Sequence, residues 1–304
     1  MNDISVIILT YNEEKHIGRC IRSLQAVTHN IFVVDSYSTD NTVAICESLG
    51  AIVCQRAWIN YADQFQWGLE HCPFTSEWMM RMDADEYIEP DLARELASKL
   101  PAISQNVTGL YIKRKYYFIG QWIKNGNVYP LNLLRVWRRG KGRIESRWMD
   151  EHIVIDSGET QQLQGHIVDD NLNTTHWWIA KHNSYADREM IDILDQKYHF
   201  FAPDHGLITS GNDSQAKFIR KVKQGIYNKL PLFLRPTLYF FYRYFIRLGF
   251  LDGLRGFAYH FIQGYWYRTL VDLRVLEANK VLEGAATNDE RLTRLEQLTG
   301  LKLK

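Results

Sequence analysis

Apolar and polar positions follow two alternating spacings along the first hundred residues. Short β-branched runs predict strands, and between them apolar residues recur at the spacing of an amphipathic helix. The predicted elements, in chain order, are strand Ile4–Leu9, helix Glu13–Gln25, strand Ile31–Asp35, helix Thr42–Leu49, strand Ala51–Cys54, helix Tyr61–His71 and strand Glu77–Asp83. Strands separated by helices predict right-handed crossovers and a parallel sheet that helices cover on both faces.

The pattern changes after about residue 109, where short strand candidates are separated by Gly, Asn and Trp. Gly109–Lys115, Leu133–Trp137 and His152–Asp156 predict mixed or antiparallel strands added to the parallel core. Residues 175–200 have a helical pattern, and the Gly and Pro content of 201–215 is typical of a linker. We therefore predict an α/β domain over residues 1–215 and a helical region over residues 216–304.

The second region is basic and aromatic. Ser214–Leu251 contains eight basic and no acidic residues, and 14 of the 35 positions in Phe233–Tyr267 are Phe, Tyr or Trp. The longest uncharged run there, Gly256–Tyr267, is 12 residues long, whereas a helix that spans a bilayer needs about 20. Arg243 and Arg247 lie at helical spacing among the aromatic residues, which favours a segment in the interface of an anionic membrane. A helical hairpin packed on the core is the alternative.

Composition restricts the class of protein. The chain has 304 residues, 46% of them hydrophobic and 23% charged, which indicates a globular protein. Its net charge of +1 argues against a nucleic-acid partner. Its four cysteines lack a Cys-x-x-Cys pair, and its first residues lack the pattern of a secretion signal. We therefore expect a cytoplasmic protein attached peripherally to the inner membrane.

Polar residues stand where the predicted parallel strands end. Ligands bind at the carboxyl ends of such strands, so Thr10, Tyr11, Asp35 and Asp83 should converge on one crevice. The glycine-rich phosphate loops of dinucleotide and P-loop enzymes are missing from the sequence. Asp83 and Asp85, two positions apart at a strand end, are able to hold Mg²⁺ or Mn²⁺ with a substrate diphosphate. A solvated acidic turn is the alternative.

Three motifs in this order resemble the family 2 glycosyltransferases. They are Val6-Ile7-Ile8-Leu9-Thr10-Tyr11-Asn12-Glu13-Glu14, Val33-Val34-Asp35-Ser36-Tyr37-Ser38-Thr39-Asp40-Asn41-Thr42 and Met82-Asp83-Ala84-Asp85-Glu86. Leu134–Gly142 and Gly249–Gly253 are similar to segments of bacterial members that build lipopolysaccharide core or exopolysaccharide. The resemblance implies the GT-A fold, a Rossmann-like mixed sheet, followed here by a helical, membrane-interfacial extension.

The resemblance also implies a reaction and a set of binding residues. A sugar would pass from a nucleotide-sugar donor to a glycan acceptor, expected to be lipid-linked, in the synthesis of a bacterial cell-surface polysaccharide. Thr10, Tyr11, Glu13 and Asp35 would bind the donor. Asp83 would lie by the ribose and the metal ion, and Asp85 would bind the Mg²⁺ or Mn²⁺ that bridges the diphosphate.

A general base must take the proton of the attacking acceptor hydroxyl. Asp150-Glu151-His152 precedes an apolar strand, and similar proteins carry an acid at this place. Glu151 is the first candidate and Asp150 the second, and attack of this kind inverts the anomeric configuration. Alternatively, Asp150 and Glu151 are a surface acid pair that forms ion pairs with Arg143 and Arg147.

The basic stretch from Arg135 to Arg147 and the activity itself leave alternatives open. The stretch either meets the phosphate of donor or acceptor, or forms an ordinary solvated hairpin. A sugar nucleotidyltransferase on a similar sheet is the alternative enzyme. A membrane adaptor that binds nucleotide without turnover is the alternative from another class.

Overall fold

A computed structural model of the chain describes residues 3–145, 152–201, 218, 221–223 and 225–303. The described residues up to Asn173 form one compact unit, and those from Thr174 onward form a second. The helix at residues 175–198 thus belongs to the second unit. The domain boundary at residue 215 stays a prediction, because residues 202–217 lie outside the described part of the chain.

The first unit begins with the predicted alternation of strands and helices. Its first seven elements are β1 (Ile4–Thr10), α1 (Ile17–Leu24), β2 (Ile31–Asp35), α2 (Thr42–Ser48), β3 (Ile52–Gln55), α3 (Tyr61–His71) and β4 (Trp78–Asp83). The strands lie in the order β3-β2-β1-β4, and every neighbouring pair among them is parallel. The predicted parallel core is confirmed.

The remaining strands extend this core with mixed pairing. They and their helix are β5 (Glu86–Ile88), α4 (Pro90–Lys99), β6 (Val107–Phe118), β7 (Gln121–Ile123), β8 (Leu131–Arg138), β9 (Gly142–Ile144), β10 (Ile153–Ile155) and β11 (Glu159–Asp170). Within the described residues the main sheet runs β3-β2-β1-β4-β8-β6-β11-β5, with β7 beside β6. β8 is antiparallel to β4 and β6, whereas β11 is parallel to β6. The predicted mixed sheet is therefore also confirmed.

Helices cover both faces of the parallel core. Because successive strand residues point to opposite faces, Ile4, Val6 and Ile8 of β1 pack in one buried cluster with α1, α2 and α4. Ile7 belongs to a second buried cluster, which Phe65 of α3 fills from the other side. This two-sided burial explains why the strands are near-continuous apolar runs.

Helix α1 begins later than its apolar spacing predicts. Residues 14–16 form a turn, and the carbonyl oxygen of Glu13 accepts hydrogen bonds from the N–H groups of His16 and Ile17 at 2.9 Å. The Glu13 side chain contacts His16, and the N–H of Glu13 donates to Thr42; both contacts, described below, hold these residues in a turn. The predicted helix Glu13–Gln25 is thus four residues too long at its start.

The second unit is helical in its described residues. Its helices are α5 (Thr175–Tyr198), α6 (Leu234–Phe241), α7 (Gly253–Tyr259), α8 (Tyr267–Val281) and α9 (Asn288–Thr299). Short π-helical segments, Tyr242–Ile246 and His260–Trp266, continue α6 and join α7 to α8. Apolar side chains of α5, α8 and α9 form one buried cluster.

Buried charges in the second unit are paired. Arg235 and Asp272 are both almost fully buried, and Arg235 Nε donates to Asp272 Oδ1 at 2.6 Å. Glu189 accepts a hydrogen bond from Tyr267 Oη at 2.7 Å and pairs with Arg268 and with Lys223. Burial opposes ionisation of Glu189, but these two cations hold its pKa well below its ordinary range. Some of the basic residues that suggested an anionic partner are therefore neutralised inside the unit.

Arg243 corrects the interpretation that the aromatic segment presents its arginines to lipid. Its side chain is buried, with the guanidinium 5.5 Å from the ring centroid of Tyr239 and 5.4 Å from that of Tyr259. Arg247, four residues later, is exposed. None of the described helices is both long enough and apolar enough to span a bilayer.

Candidate functional site

The carboxyl ends of β1, β2 and β4 lie side by side. Thr10 is the register partner of Asp35, and Leu9 is the partner of Asp83. Thr10 Oγ1 donates a hydrogen bond to Asp35 Oδ1 at 2.9 Å. The structure thus brings three of the predicted site residues to one edge of the sheet.

Asp35 organises the turn that follows β2. Its buried carboxylate accepts hydrogen bonds from Thr10, from the backbone N–H and the hydroxyl of Ser38 at 2.8 and 2.5 Å, and from Gln55 Nε2 at 3.0 Å. These hydrogen bonds fix the turn after β2. Each of them also satisfies the buried carboxylate, which would cost free energy if it had no partner. Asp35 therefore shapes the crevice, and its contact with a donor stays a prediction.

The loops after β1 and β2 are bonded to each other. The N–H of Asn12 donates to Ser38 Oγ, and Asn12 Oδ1 accepts from the N–H of Thr39, both at 2.8 Å. Asn12 and Tyr37 take left-handed backbone angles, with φ of 55° and 59°. Tyr11 and Tyr37 are left more than half exposed beside the crevice. Two aromatic rings are consequently available to stack on a planar ligand group.

Glu13, another residue predicted to bind the nucleotide-sugar donor, forms hydrogen bonds with other residues of the first unit. His16 Nε2 accepts a hydrogen bond from the N–H of Leu172 at 2.8 Å, so the ring proton lies on Nδ1 and is donated to Glu13 Oε2 at 2.6 Å. The N–H of Glu13 donates to Thr42 Oγ1 at 2.7 Å. These contacts link the β1 loop to the segment after β11, and a donor contact of Glu13 stays a prediction.

Asp83 ends β4 with its carboxylate surrounded by cationic and hydroxyl groups. Tyr61 Oη donates to Oδ1 at 2.9 Å, Arg81 Nε lies 3.5 Å from the same oxygen, and Arg135 Nη2 donates to Oδ2 at 3.1 Å. The side chain keeps 30% of its exposure. These three side chains therefore orient the Asp83 carboxylate, and part of it still faces solvent.

Arg135 joins Asp83 to a second carboxylate. Its Nη2 also donates to Glu86 Oε1 at 2.6 Å, and Glu86 Oε2 accepts from the N–H of Asp83 at 3.0 Å. Arg135 and Glu86 are buried, and within the described part of the chain Arg135 Nε and Nη1 have no hydrogen-bond partner. The carboxyl groups of Asp83 and Glu86 are thus the hydrogen-bond partners of Arg135.

This arrangement separates the protonation of the two carboxyl groups. Burial opposes ionisation of Asp83, but the guanidinium groups of Arg135 and Arg81 hold its pKa well below the ordinary value. Burial raises the pKa of Glu86 to about 8, although Arg135 opposes that shift. Asp83 is therefore the ionised member, which is the form that binds a divalent cation.

Asp85 lies in the turn between β4 and β5, and Asn171 and Arg19 hold this turn. Asn171 Nδ2 donates to Asp85 Oδ2 at 3.0 Å, and Arg19 Nη2 donates to the Asp85 carbonyl oxygen at 3.2 Å. Arg19 also pairs with Asp170 at 2.6 Å. Among the described residues no hydrogen-bond donor contacts Asp85 Oδ1.

The residues present fit a hard divalent cation. Asp83 and Asp85 supply carboxylate oxygens, the ligands that Mg²⁺ and Mn²⁺ prefer, and Mg²⁺ commonly binds one or two carboxylates together with substrate phosphates. The ionised state of Asp83 and the uncommitted oxygen of Asp85 meet this requirement. A metal ion here would complete its coordination with water and the donor diphosphate.

A group of three potential metal ligands lies elsewhere in the same unit. Glu89, Asp91 and His166 offer ligand atoms within 4.8 Å of one another. His166 Nδ1 lies 2.8 Å from Asp91 Oδ2, and Lys115 Nζ lies 2.5 Å from Glu89 Oε2. Because Lys115 already supplies a positive charge, these contacts form an ion-pair cluster that joins β6 and β11 to the start of α4.

The basic stretch from Arg135 to Arg147 begins on β8, and its first two arginines are not solvated. Arg135 is buried against Asp83 and Glu86, and Arg138 is buried against Glu77 and the ring of Trp78. Arg138 also donates to the carbonyl oxygen of Val107 at 2.9 Å. The solvated-hairpin alternative is wrong for these two arginines, because both are buried against carboxylates and carbonyl groups of this chain. A contact of the stretch with donor or acceptor phosphate stays a prediction.

The general-base candidates Glu151 and Asp150 lie outside the described residues, so their role stays a prediction. Four contributors to the site were missed by the sequence reasoning, namely Arg19, Tyr61, Glu86 and Asn171. Glu86 had a signal, since it follows the Asp-x-Asp motif directly and enters an apolar strand. The other three lie far from the motif along the chain and carry no comparable signal.

Comparison with known protein families gives one match along most of the first unit. The model of the family described as glycosyl transferase family 2 matches residues 5–170, from the second residue of β1 to the end of β11. LpsC of Rhizobium meliloti (strain 1021), a lipopolysaccharide core biosynthesis glycosyltransferase, is 34% identical over 189 residues. The matched part covers 60% of this chain and 68% of LpsC.

A second relative and a solved structure also match this chain. An uncharacterized glycosyltransferase of Rickettsia conorii, RC0292, is 40% identical over 263 residues, which cover 84% of this chain and 83% of that protein. The crystal structure of S. aureus TarS, in complex with UDP-GlcNAc, aligns over 92% of both chains with a TM-score of 0.47 and 15% sequence identity.

Proposed function

The chain belongs to the family 2 glycosyltransferases, and we propose that it moves a sugar from a nucleotide-sugar donor to a lipid-linked glycan acceptor in bacterial cell-surface polysaccharide synthesis. The reaction would depend on a divalent metal ion and invert the anomeric configuration. The observation that most supports it is the convergence of Asp83, Asp85 and the Thr10–Asp35 pair at one edge of the sheet.

The donor would bind along the carboxyl ends of β1, β2 and β4. Thr10 and Asp35 hold the loops that would receive the base and ribose, and the exposed ring of Tyr11 would pack against the nucleoside. Asp83 and Asp85 would hold Mg²⁺ or Mn²⁺. When bound, the metal ion supplies the positive charge that stabilises the departing diphosphate.

The residues around the two aspartates prepare this site. Arg135 keeps Asp83 ionised and oriented, and Arg19 and Asn171 hold the turn of Asp85. A rigid, charged site of this kind lowers the reorganisation that the leaving diphosphate requires. Glu151, or Asp150 in its place, would take the proton of the acceptor hydroxyl, which attacks from the face opposite the diphosphate.

The acceptor and the location are proposed from different observations. The lipopolysaccharide core role named for LpsC supports a lipid-linked glycan, and such an acceptor lies at the membrane. The chain would therefore work on the cytoplasmic side, attached peripherally to the inner leaflet through its basic and aromatic C-terminal region.

Donor binding is tested by thermal unfolding of the purified chain with UDP-, GDP- and dTDP-sugars in the presence of Mn²⁺. One nucleotide is expected to raise the melting temperature, because a ligand at 100 times its Kd adds about 2.7 kcal/mol to the native state. The rise should disappear in excess chelator. If no nucleotide-sugar changes the melting temperature, or if chelator leaves the rise unchanged, the proposed metal-held donor site is wrong.

A further inference from the structure

The outer surface of the second unit between Phe233 and Phe261 is apolar. Thirteen large apolar or aromatic side chains in this range are exposed, and Leu254, Ile246 and Leu251 are exposed by 83%, 72% and 60%. Soluble monomers rarely expose contiguous apolar patches larger than a few hundred Å². We call these thirteen side chains the apolar surface, and its size indicates a partner.

Ring contacts join parts of the apolar surface that are distant in sequence. The ring centroid of Phe240 lies 6.3, 6.4 and 6.2 Å from those of Phe241, Phe257 and Phe261. Tyr244 links to Phe257 in the same way, at 5.6 Å. Exposed rings of α6 and α7 therefore belong to one cluster and form a continuous surface.

The exposed charges between positions 233 and 261 are all positive, which favours an anionic partner. Arg235 and Arg243 are buried, and so is Asp252, the one acidic residue between positions 233 and 261. Arg247 and Arg255 are the exposed charged side chains there. The exposed surface is thus apolar with positive charge only, which is complementary to an anionic phospholipid headgroup layer above acyl chains.

None of the described helices, those that carry the apolar surface included, is both long enough and apolar enough to cross a bilayer. Helix α6 and its π-helical continuation run from Leu234 to Ile246, which corresponds to about 20 Å at about 1.5 Å per residue. The hydrocarbon core is about 30 Å thick. Helices that expose apolar side chains on one face without being apolar enough to span are typical of segments that lie in the plane of the interface.

We propose that the apolar surface inserts into the interface of an anionic phospholipid bilayer, and that burial of its side chains, more than charge attraction, holds the chain there. The inference rests on the proposed function only for the idea that the acceptor lies at a membrane. It replaces a basic docking segment by an inserted surface, because Arg235 and Arg243 face the interior of the unit.

The full chain is mixed with vesicles of phosphatidylcholine alone and of phosphatidylcholine with phosphatidylglycerol, and bound protein is measured by sedimentation. The experiment is run at about 0.1 M and about 1 M NaCl, where the Debye length is about 10 Å and about 3 Å. Insertion predicts tighter binding to the anionic vesicles at low salt and substantial binding to both vesicle types at high salt.

The decisive variant is Ile246→Ser/Leu251→Ser/Leu254→Ser, which changes three strongly exposed side chains. Each change is expected to weaken partitioning by about tenfold or more, since a buried side chain of this size contributes about 1.5–3 kcal/mol. The matched control is Leu273→Ser/Leu276→Ser on α8, where both side chains are 49% exposed outside the apolar surface. This control should bind like the original chain.

Three results would overturn insertion. Binding that disappears at high salt and survives the triple change would indicate charge attraction alone. If the chain does not bind vesicles but forms dimers, and the triple change dissociates these dimers, the surface binds a second copy of the chain. Equal loss in the control variant would show a general effect of apolar exposure.

Melting-temperature shifts with nucleotide-sugar, measured without vesicles, separate this proposal from the proposed function. They should be equal in the original chain and in the triple variant.

Discussion

Asp85→Asn is expected to lower sugar transfer by at least about a thousandfold, because a lost metal ligand removes several kcal/mol of charge stabilisation and each 1.36 kcal/mol is worth about tenfold in rate. Asparagine keeps the size of the side chain and an oxygen that accepts the Asn171 hydrogen bond. The melting temperature should therefore stay unchanged. Initial rates of nucleoside diphosphate release, measured against Mn²⁺ concentration, give the effect.

Glu47→Gln is the matched control for Asp85→Asn. Glu47 is an exposed carboxylate on α2 of the same unit, outside the crevice. Its neutralisation changes the net charge by the same amount and should leave the rate unchanged. Turnover of Asp85→Asn within tenfold of the original chain would show that Asp85 does not bind the metal ion.

Arg135→Met is expected to destabilise the first unit by about 3–5 kcal/mol, the usual result of removing one partner of a buried ion pair. The ionised Asp83 would lose the guanidinium that compensates its charge, and buried Glu86 would lose its hydrogen-bond donor. Transfer should fall as well, because Asp83 would lose both its orientation and its low pKa. Urea unfolding and initial rates measure the two effects separately.

The double variant Arg135→Met/Glu86→Gln identifies the cause. The ionised Asp83 is still unpaired beside the methionine, whereas burial raises the pKa of Glu86 to about 8 and favours its neutral form. Replacing Glu86 as well should therefore restore little of the lost stability. Transfer should stay low, because Asp83 is still without its guanidinium. Arg94→Met, on the exposed face of α4, serves as the control. Unchanged stability in Arg135→Met, or full recovery of transfer in the double variant, would contradict the positioning role.

The GT-A fold and the edge of the sheet that carries the site could be predicted from the sequence. Strands β1, β2 and β4 are buried on both faces, so they are near-continuous apolar runs, and each ends at a polar motif. Parallel strands bring those ends together whatever the details of packing. Thr10, Asp35 and Asp83 were therefore placed correctly at one edge without any knowledge of side-chain contacts.

The role of Arg135 could not be predicted, because its partners are 49 and 52 residues away. A run of arginines near a turn is usually solvated, and only the antiparallel pairing of β8 with β4 places Arg135 beside Asp83 and Glu86. An arginine between Leu134 and Val136 in an apolar strand was the available signal. In the same way, the spacing of Arg243 fits a lipid-facing helix, but its side chain is buried and packs against the rings of Tyr239 and Tyr259.

The central claim is that this chain transfers sugar from a nucleotide donor with a divalent metal ion held by Asp83 and Asp85. Its most direct test is the release of nucleoside diphosphate, and the anomeric form of the product, when the purified chain meets a nucleotide-sugar and a bacterial lipid-linked glycan extract. The account predicts acceptor-dependent release with Mn²⁺, none in excess chelator, recovery when Mn²⁺ is restored, and a β-linked product from an α-linked donor. Release that is undiminished in chelator, or pyrophosphate and nucleotide-sugar formed from sugar phosphate and nucleoside triphosphate, would contradict it.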